Sequence, residues 1–193
     1  MGYKRLTPVV PPGAPVSERS SIYKRLQAGV DARGKVPGVR NGSGLWSSFD
    51  WTKYEPDEND LDRWFDMGAS VGIKTGPQED GTWLIGVDAD TLDERCAALI
   101  AGVMRKRFGT VPMRIGRPPK ALYVIRLDGP LQYTRVDFGA RNAKGVAERV
   151  ELLSGGRQFI AFGLHPTTMQ PYRWAEKLLP YGDLPVWPAG VLA

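Results

Sequence analysis

Apolar positions along the chain fall into two spacings, and together they predict three helices among a larger number of short strands. Ile22, Leu26 and Val30 recur every four residues after Ser17, which predicts a helix stopped at Gly29. Leu61, Trp64 and Phe65 stand at i, i+3 and i+4, with Asp57 or Asn59 as N-cap and Gly68 as the end. A third helix is predicted where Thr91 and Glu94 have capping-box spacing and Cys96, Leu99, Ile100 and Val103 form the apolar stripe. Arg105, Lys106 and Arg107 suit its C-terminal dipole, and Gly109 closes it. Short apolar runs predict strands at 71–73, 83–87, 111–115, 121–127, 146–153 and 157–162. Ser154-Gly155-Gly156 is expected to join the last two as a hairpin.

Between these elements the composition changes. Residues 1–16 carry Pro8, Pro11, Pro12 and Pro15 and are expected to form an extended arm with no part in the fold. Residues 34–57 mix glycines and prolines with Trp46, Phe49 and Trp51, as in a long packed loop. Residues 17–180 are expected to be the folded domain, and 181–193, with Pro185 and Pro188, a tail or a linker to a further domain. Strands interrupted by a few helices predict an α+β fold with a mostly antiparallel sheet.

Composition narrows the function classes. The 193 residues are 42% hydrophobic and 24% charged, which fits a folded globular chain and not a disordered one. Lys plus Arg outnumber Asp plus Glu by 26 to 21, so the net charge of +5 favours anionic partners such as nucleotides and nucleic acid. The single cysteine, Cys96, forms no internal disulfide, and the single histidine, His165, excludes every metal motif that needs two. No apolar run approaches the roughly 18 residues that span a bilayer. The expected setting is therefore the cytoplasm, with no membrane partner.

The most informative stretch is Trp83 to Asp90, an apolar strand ending in two acids spaced by two. Side chains at i and i+2 share a face, so Asp88 and Asp90 point the same way. Two carboxylates about 4 Å apart repel by roughly 1 kcal/mol in water and about 4 kcal/mol in a partly buried site. A divalent cation offsets that repulsion, since Mg²⁺ and Mn²⁺ prefer oxygen ligands. The alternative is that Asp88 ends the strand and Asp90 caps the next helix. Arg114, Arg117 and Lys120 surround Gly116, Pro118 and Pro119 between two expected strands. Such a turn could grip a triphosphate, or simply be a solvated basic hairpin. Glu151 lies on a strand whose Val150 and Leu152 take the opposite face, so it either joins the other acids or pairs with Arg149 in solvent. His165, in Gly163-Leu164-His165-Pro166, either donates to a phosphate or bonds to its own loop; Gln158 could orient a neighbour or touch nucleotide. No Walker loop and no GxGxxG occurs.

Taken in order, these pieces resemble the bifunctional DNA primase/polymerase (prim-pol) domain of the archaeo-eukaryotic primase superfamily, in the form found in phage and plasmid replication proteins. The matching segments are 34–37, 71–76, Val87-Asp88-Ala89-Asp90, Arg114 to Lys120 with Tyr123 and Arg126, Val150 to Leu153 with 156–159, Gly163 to Pro166, and Tyr172-Arg173-Trp174. The resemblance implies that Asp88, Asp90 and Glu151 are the catalytic, metal-holding acids, with Mg²⁺ or Mn²⁺ as cofactor. It also implies an RRM-like catalytic sheet beside a smaller N-terminal α/β unit. Its substrates would be nucleoside triphosphates on a DNA template and primer, and a helicase domain in the same polypeptide would be a partner. Where many members place a histidine in the second motif, Lys120 stands here, backed by Arg114 and Arg117. Two rival readings remain at this point: a DNA-binding replication module with a degenerate nucleotide site, and a DxD-type glycosyltransferase.

Overall fold

The computed structural model describes residues 1–141 and 147–192, so Val146, the expected first residue of one strand, lies outside the described residues. In chain order the elements are β1 (Leu6–Val9), α1 (Ser21–Gln27), β2 (Val39–Arg40), β3 (Trp46–Ser47), α2 (Asp60–Asp66), β4 (Ser70–Lys74), β5 (Gly76–Pro77) and β6 (Trp83–Asp90). There follow α3 (Glu94–Phe108), β7 (Met113–Ile115), β8 (Ala121–Leu127), β9 (Thr134–Arg141), β10 (Ala147–Leu153), β11 (Gln158–Phe162), β12 (Arg173–Glu176) and β13 (Val186–Trp187). The fold is α+β, as expected, and its largest sheet is antiparallel except where β13 joins β8. The chain divides into two units: residues 1–3, 74–158 and 173–193, and residues 4–73 with 159–172.

In the second of these, β1, β4 and β11 form a three-stranded sheet. The proline-rich arm, expected to stand apart, supplies the edge strand: Leu6 to Val9 pair antiparallel with Ile73 to Ser70, and Thr7, Val9 and Val10 are fully buried. An edge position tolerates Pro8, whose missing N–H costs no interior ladder bond, and its carbonyl accepts from the Gly38 N–H (3.1 Å). Val10, Ile22 and Trp46 then form a small core. Ser20 caps α1, accepting from the Ile22 N–H at 3.2 Å. Gly29, at φ 78°, does turn the chain, which leaves Val30 beyond the helix and exposed. On α2 only Trp64 of the expected apolar trio is buried; Leu61 and Phe65 face outward. Asn59 makes no side-chain cap. Instead buried Asp60 accepts from the Asp57 N–H (2.8 Å), from Arg63 (2.6 Å) and from the Tyr54 hydroxyl, while Asp57 accepts from the Asn59 N–H.

The other unit is built on the eight-stranded sheet, whose main path runs β12-β7-β8-β6-β10-β9, with β5 also on β6. The expected hairpin of 146–153 with 157–162 does not form. β10 pairs with β6 and β9, while β11 belongs to the sheet of β1 and β4. The Ser154-Gly155-Gly156 turn is real, closed by Arg157 N–H to the Ser154 carbonyl (3.1 Å), but Thr75 takes both sides of it. Its N–H donates to the Arg157 carbonyl (3.0 Å) and its hydroxyl to the Ser154 carbonyl (2.6 Å). The actual partner, β9, has charged residues alternating with apolar ones at a sheet edge, a pattern without a core face to mark it as strand.

Ile85, Val87 and Ala89 of β6 and Ala121, Tyr123, Ile125 and Leu127 of β8 pack with Met104 and Phe108 of α3. The helix therefore presents a neighbouring stripe to the expected one: Ile100, Ala101, Met104 and Phe108 face the sheet, and Leu99 (71% exposed) and Val103 face outward. Its cap is Asp93, accepting from the Arg95 (2.8 Å) and Cys96 (2.9 Å) N–H groups; Thr91 instead holds the Asp93 N–H. The C-terminal segment is docked on this sheet as well. Phe108 meets Trp187 edge to face at 5.3 Å, and Asp128 accepts from the Ala189 N–H (2.7 Å).

Candidate active site

Alternation along β6 decides which side chains share the face away from α3. Because Ile85, Val87 and Ala89 enter the core, Asp88 and Asp90 point to the opposite side. On β10, Val150 and Leu152 pack against that same core, which sends Arg149 and Glu151 to the Asp88 side. The two strands are antiparallel with Glu151 directly opposite Asp88 and Arg149 directly opposite Asp90. Directly opposed residues have Cβ atoms about 5 Å apart. The row extends through Leu122 of β8 to Arg114 of β7 on one side and to Arg135 of β9 on the other. This sheet face thus carries Asp88, Asp90 and Glu151 in two adjacent rows, one ended by Arg114 and Arg135 and the other running from Asp90 through Arg149 to Asp137 of β9.

The three carboxylates are held differently. Asp90 takes Lys120 on Oδ1 and the Arg149 guanidinium on Oδ2 at 2.7 Å. Glu151 accepts from Arg149 Nε on Oε2 (3.0 Å) and from the Tyr133 hydroxyl on Oε1 (2.6 Å), a bond that pushes the Tyr133 hydroxyl pKa up. Arg157 stacks over the Tyr133 ring at 4.5 Å. Among the described residues, Asp88 alone of the three has no hydrogen bond to its carboxylate. Burial pushes the Asp88 carboxyl up to about 6; Arg114 and Lys120 pull it back, and Asp90 and Glu151 push it further. The same pattern shows that Arg114 and Lys120 face this acid closely enough for their charges to act on it.

The expected basic turn is therefore split in its placement. Arg114 and Lys120 stand at the acids, whereas Arg117 is exposed, its carbonyl accepting the Lys120 N–H at 3.0 Å to close the turn. Gln158 opens β11. His165 lies in the second unit, where its Nδ1 accepts from the Thr167 and Thr168 N–H groups, each at 3.2 Å, and its ring meets Tyr172 at 5.4 Å. Bonding to its own loop is thus one of the two expectations for His165 that the geometry contains. Glu151 likewise meets both of its alternatives at once: it pairs with Arg149 and it shares the face of Asp88. Sequence reasoning passed over Tyr133 altogether and weighed Arg149 only as a solvent partner. The i, i+2 spacing of Arg149 and Glu151 was a usable signal; nothing in the sequence around Tyr133 points to an acid eighteen residues later.

A family model for the bifunctional DNA primase/polymerase N-terminal domain, Prim-Pol, matches residues 5–187. The chain belongs to the Prim-Pol family. No curated protein matches it. The Prim-Pol match opens within the arm and ends at β13, so it reaches into both segments that composition alone set apart from the domain. Membership brings a primase/polymerase-type function and removes the glycosyltransferase alternative. Prim-Pol enzymes are in general metal-dependent, and the donor chemistry here fits a hard divalent ion: three neighbouring oxygen-bearing acids on one face, one of them half-buried and, among the described residues, without a hydrogen bond to its carboxylate. In the present side-chain positions, no three His, Cys, Asp or Glu groups among the described residues close around a common point. Arg149 lies between two of the acids.

Proposed function

We propose that this Prim-Pol chain carries out template-directed nucleotidyl transfer in replication of the phage or plasmid type, joining a (d)NTP to a primer 3′-hydroxyl. The observation that carries the reading is the register of β6 on β10, which puts Glu151 opposite Asp88 with Asp90 on the same face. In this reading Asp88, Asp90 and Glu151 hold Mg²⁺ or Mn²⁺, which when bound lowers the pKa of the attacking hydroxyl and balances charge on pyrophosphate. Arg114 and Lys120 hold the triphosphate, Arg as a fork and Lys as a point charge. Arg117, exposed on the same turn, adds a third cation to the incoming phosphates, and Gln158 is a further nucleotide contact to be tested by substitution. A basic net charge of +5 suits a DNA template and primer, whose binding weakens with salt.

The test is primer extension and de novo synthesis with Mg²⁺ or Mn²⁺ on the wild type and on Asp88→Ala with Asp90→Ala. Loss of incorporation by roughly a thousandfold or more is expected, as for removal of an essential metal-binding group. Incorporation that survives the double substitution would end the proposal. Salt-dependent DNA binding without metal-dependent incorporation by the wild type would leave the non-catalytic binding module as the better reading.

A further inference from the structure

Arg149 bridges two of the three acids through its guanidinium. Its Nε donates to Glu151 and its terminal nitrogen contacts Asp90, on the neighbouring strand, at 3.0 and 2.7 Å. The side chains of Arg149, Asp90 and Glu151 keep 23%, 19% and 17% of their surface, so the bridge is reachable from solvent. A monovalent guanidinium in this position satisfies two of the three acids and leaves Asp88, opposite Glu151, without a hydrogen bond among the described residues. A divalent ion shared by all three would answer Asp88 as well, but it needs the oxygens that Arg149 holds.

We propose that Arg149 is a stand-in cation, occupying the gap between Asp90 and Glu151 when no divalent ion is bound and competing with that ion for their oxygens. The inference rests on the reading of the three acids as metal ligands. Arg149 on this account is a positioning residue: it keeps two like charges from splaying the β6–β10 edge of the site in the empty protein, at the cost of weaker metal binding. Its removal should tighten metal binding without any nucleotide present, which a purely structural bridge would not do.

The experiment is an electron paramagnetic resonance titration of free Mn²⁺ on the full chain without nucleotide, comparing wild type, Arg149→Gln, Arg149→Lys and Arg105→Gln. Arg105, on the far side of the sheet in α3, removes the same formal charge away from the acids. Roughly threefold to tenfold tighter Mn²⁺ binding is expected for Arg149→Gln, the size of one or two partly exposed ion pairs. Arg149→Lys keeps a charge but has no fork with which to span both acids, so it should fall between wild type and Arg149→Gln. It also decides the matter if the glutamine variant fails to fold. Arg105→Gln should match wild type. Unchanged or weaker binding in the Arg149 variants, or an equal gain in Arg105→Gln, overturns the proposal and leaves the acids as ligands. Wild-type Mn²⁺ binding that is absent, or that persists unchanged in Asp88→Asn with Asp90→Asn, overturns both.

Discussion

Replacing Asp88 by asparagine should make the protein more stable at neutral pH while removing a group on which catalysis is proposed to depend. The carboxyl at 88 is pushed from its ordinary 3.8 up to about 6, first by burial and then by Asp90 and Glu151. At 1.36 kcal/mol per pH unit, keeping it ionised in the folded protein costs about 3 kcal/mol. Asparagine has the same shape and no charge, so it releases that cost. The sign follows from proton counting. Below about pH 3 the carboxyl is protonated folded or unfolded, and up to about pH 4 the two proteins should differ little. Between about 4 and 6 the folded state keeps a proton that the unfolded state gives up, so wild-type stability falls as pH rises. Above about 6.5 the penalty is complete and the variant's advantage is constant. Thermal melts without divalent ions, from pH 4 to 7.5, check this. For a chain of this length about 3 kcal/mol corresponds to roughly 6–12 °C. A variant no more stable than wild type at pH 7.5, or a gain of equal size at pH 4, would refute the argument that desolvation of Asp88 outweighs the pull of Arg114 and Lys120.

Lys120→Met should raise the KM for the nucleoside triphosphate roughly tenfold, as loss of one charge-assisted phosphate contact would; steady-state extension kinetics with varied dNTP read it. Gly163→Ala should destabilise the fold by more than about 2 kcal/mol in urea unfolding. Its φ is 136°, and an added Cβ would lie 2.4 Å from the Cβ of buried Ser70. Val10→Ala should cost about 1–3 kcal/mol in the same assay, because Val10 is fully buried beside Ile22 and Trp46. A near-zero effect would restore the view of the first sixteen residues as a detached arm.

How much of this could be read in advance differs from element to element. The Trp83 to Asp90 strand was legible because its apolar run and terminal acids obey a local rule, side-chain alternation, that tertiary contacts do not alter. The same rule set Glu151 against Val150 and Leu152. The α3 stripe was misread by one position around the helix. Two apolar stripes compete there, and only the packing of Met104 and Phe108 on the sheet chooses between them. The 154–156 turn was correct and its consequence was not, since a turn fixes local direction and not the sheet that the next strand joins.

By itself the sequence determined the side-chain faces of β6 and β10, the α+β class and the family. These depend on spacing within a few residues, or on an ordered series of short motifs. The tertiary structure decided the register that puts Glu151 opposite Asp88, the seating of Arg149 between Asp90 and Glu151, the hydroxyl of Tyr133 on Glu151, and the burial of β1. Each of these joins residues distant in the chain. Their pairing depends on how strands are ordered across a sheet and on which apolar faces must be covered, which is a property of the whole fold.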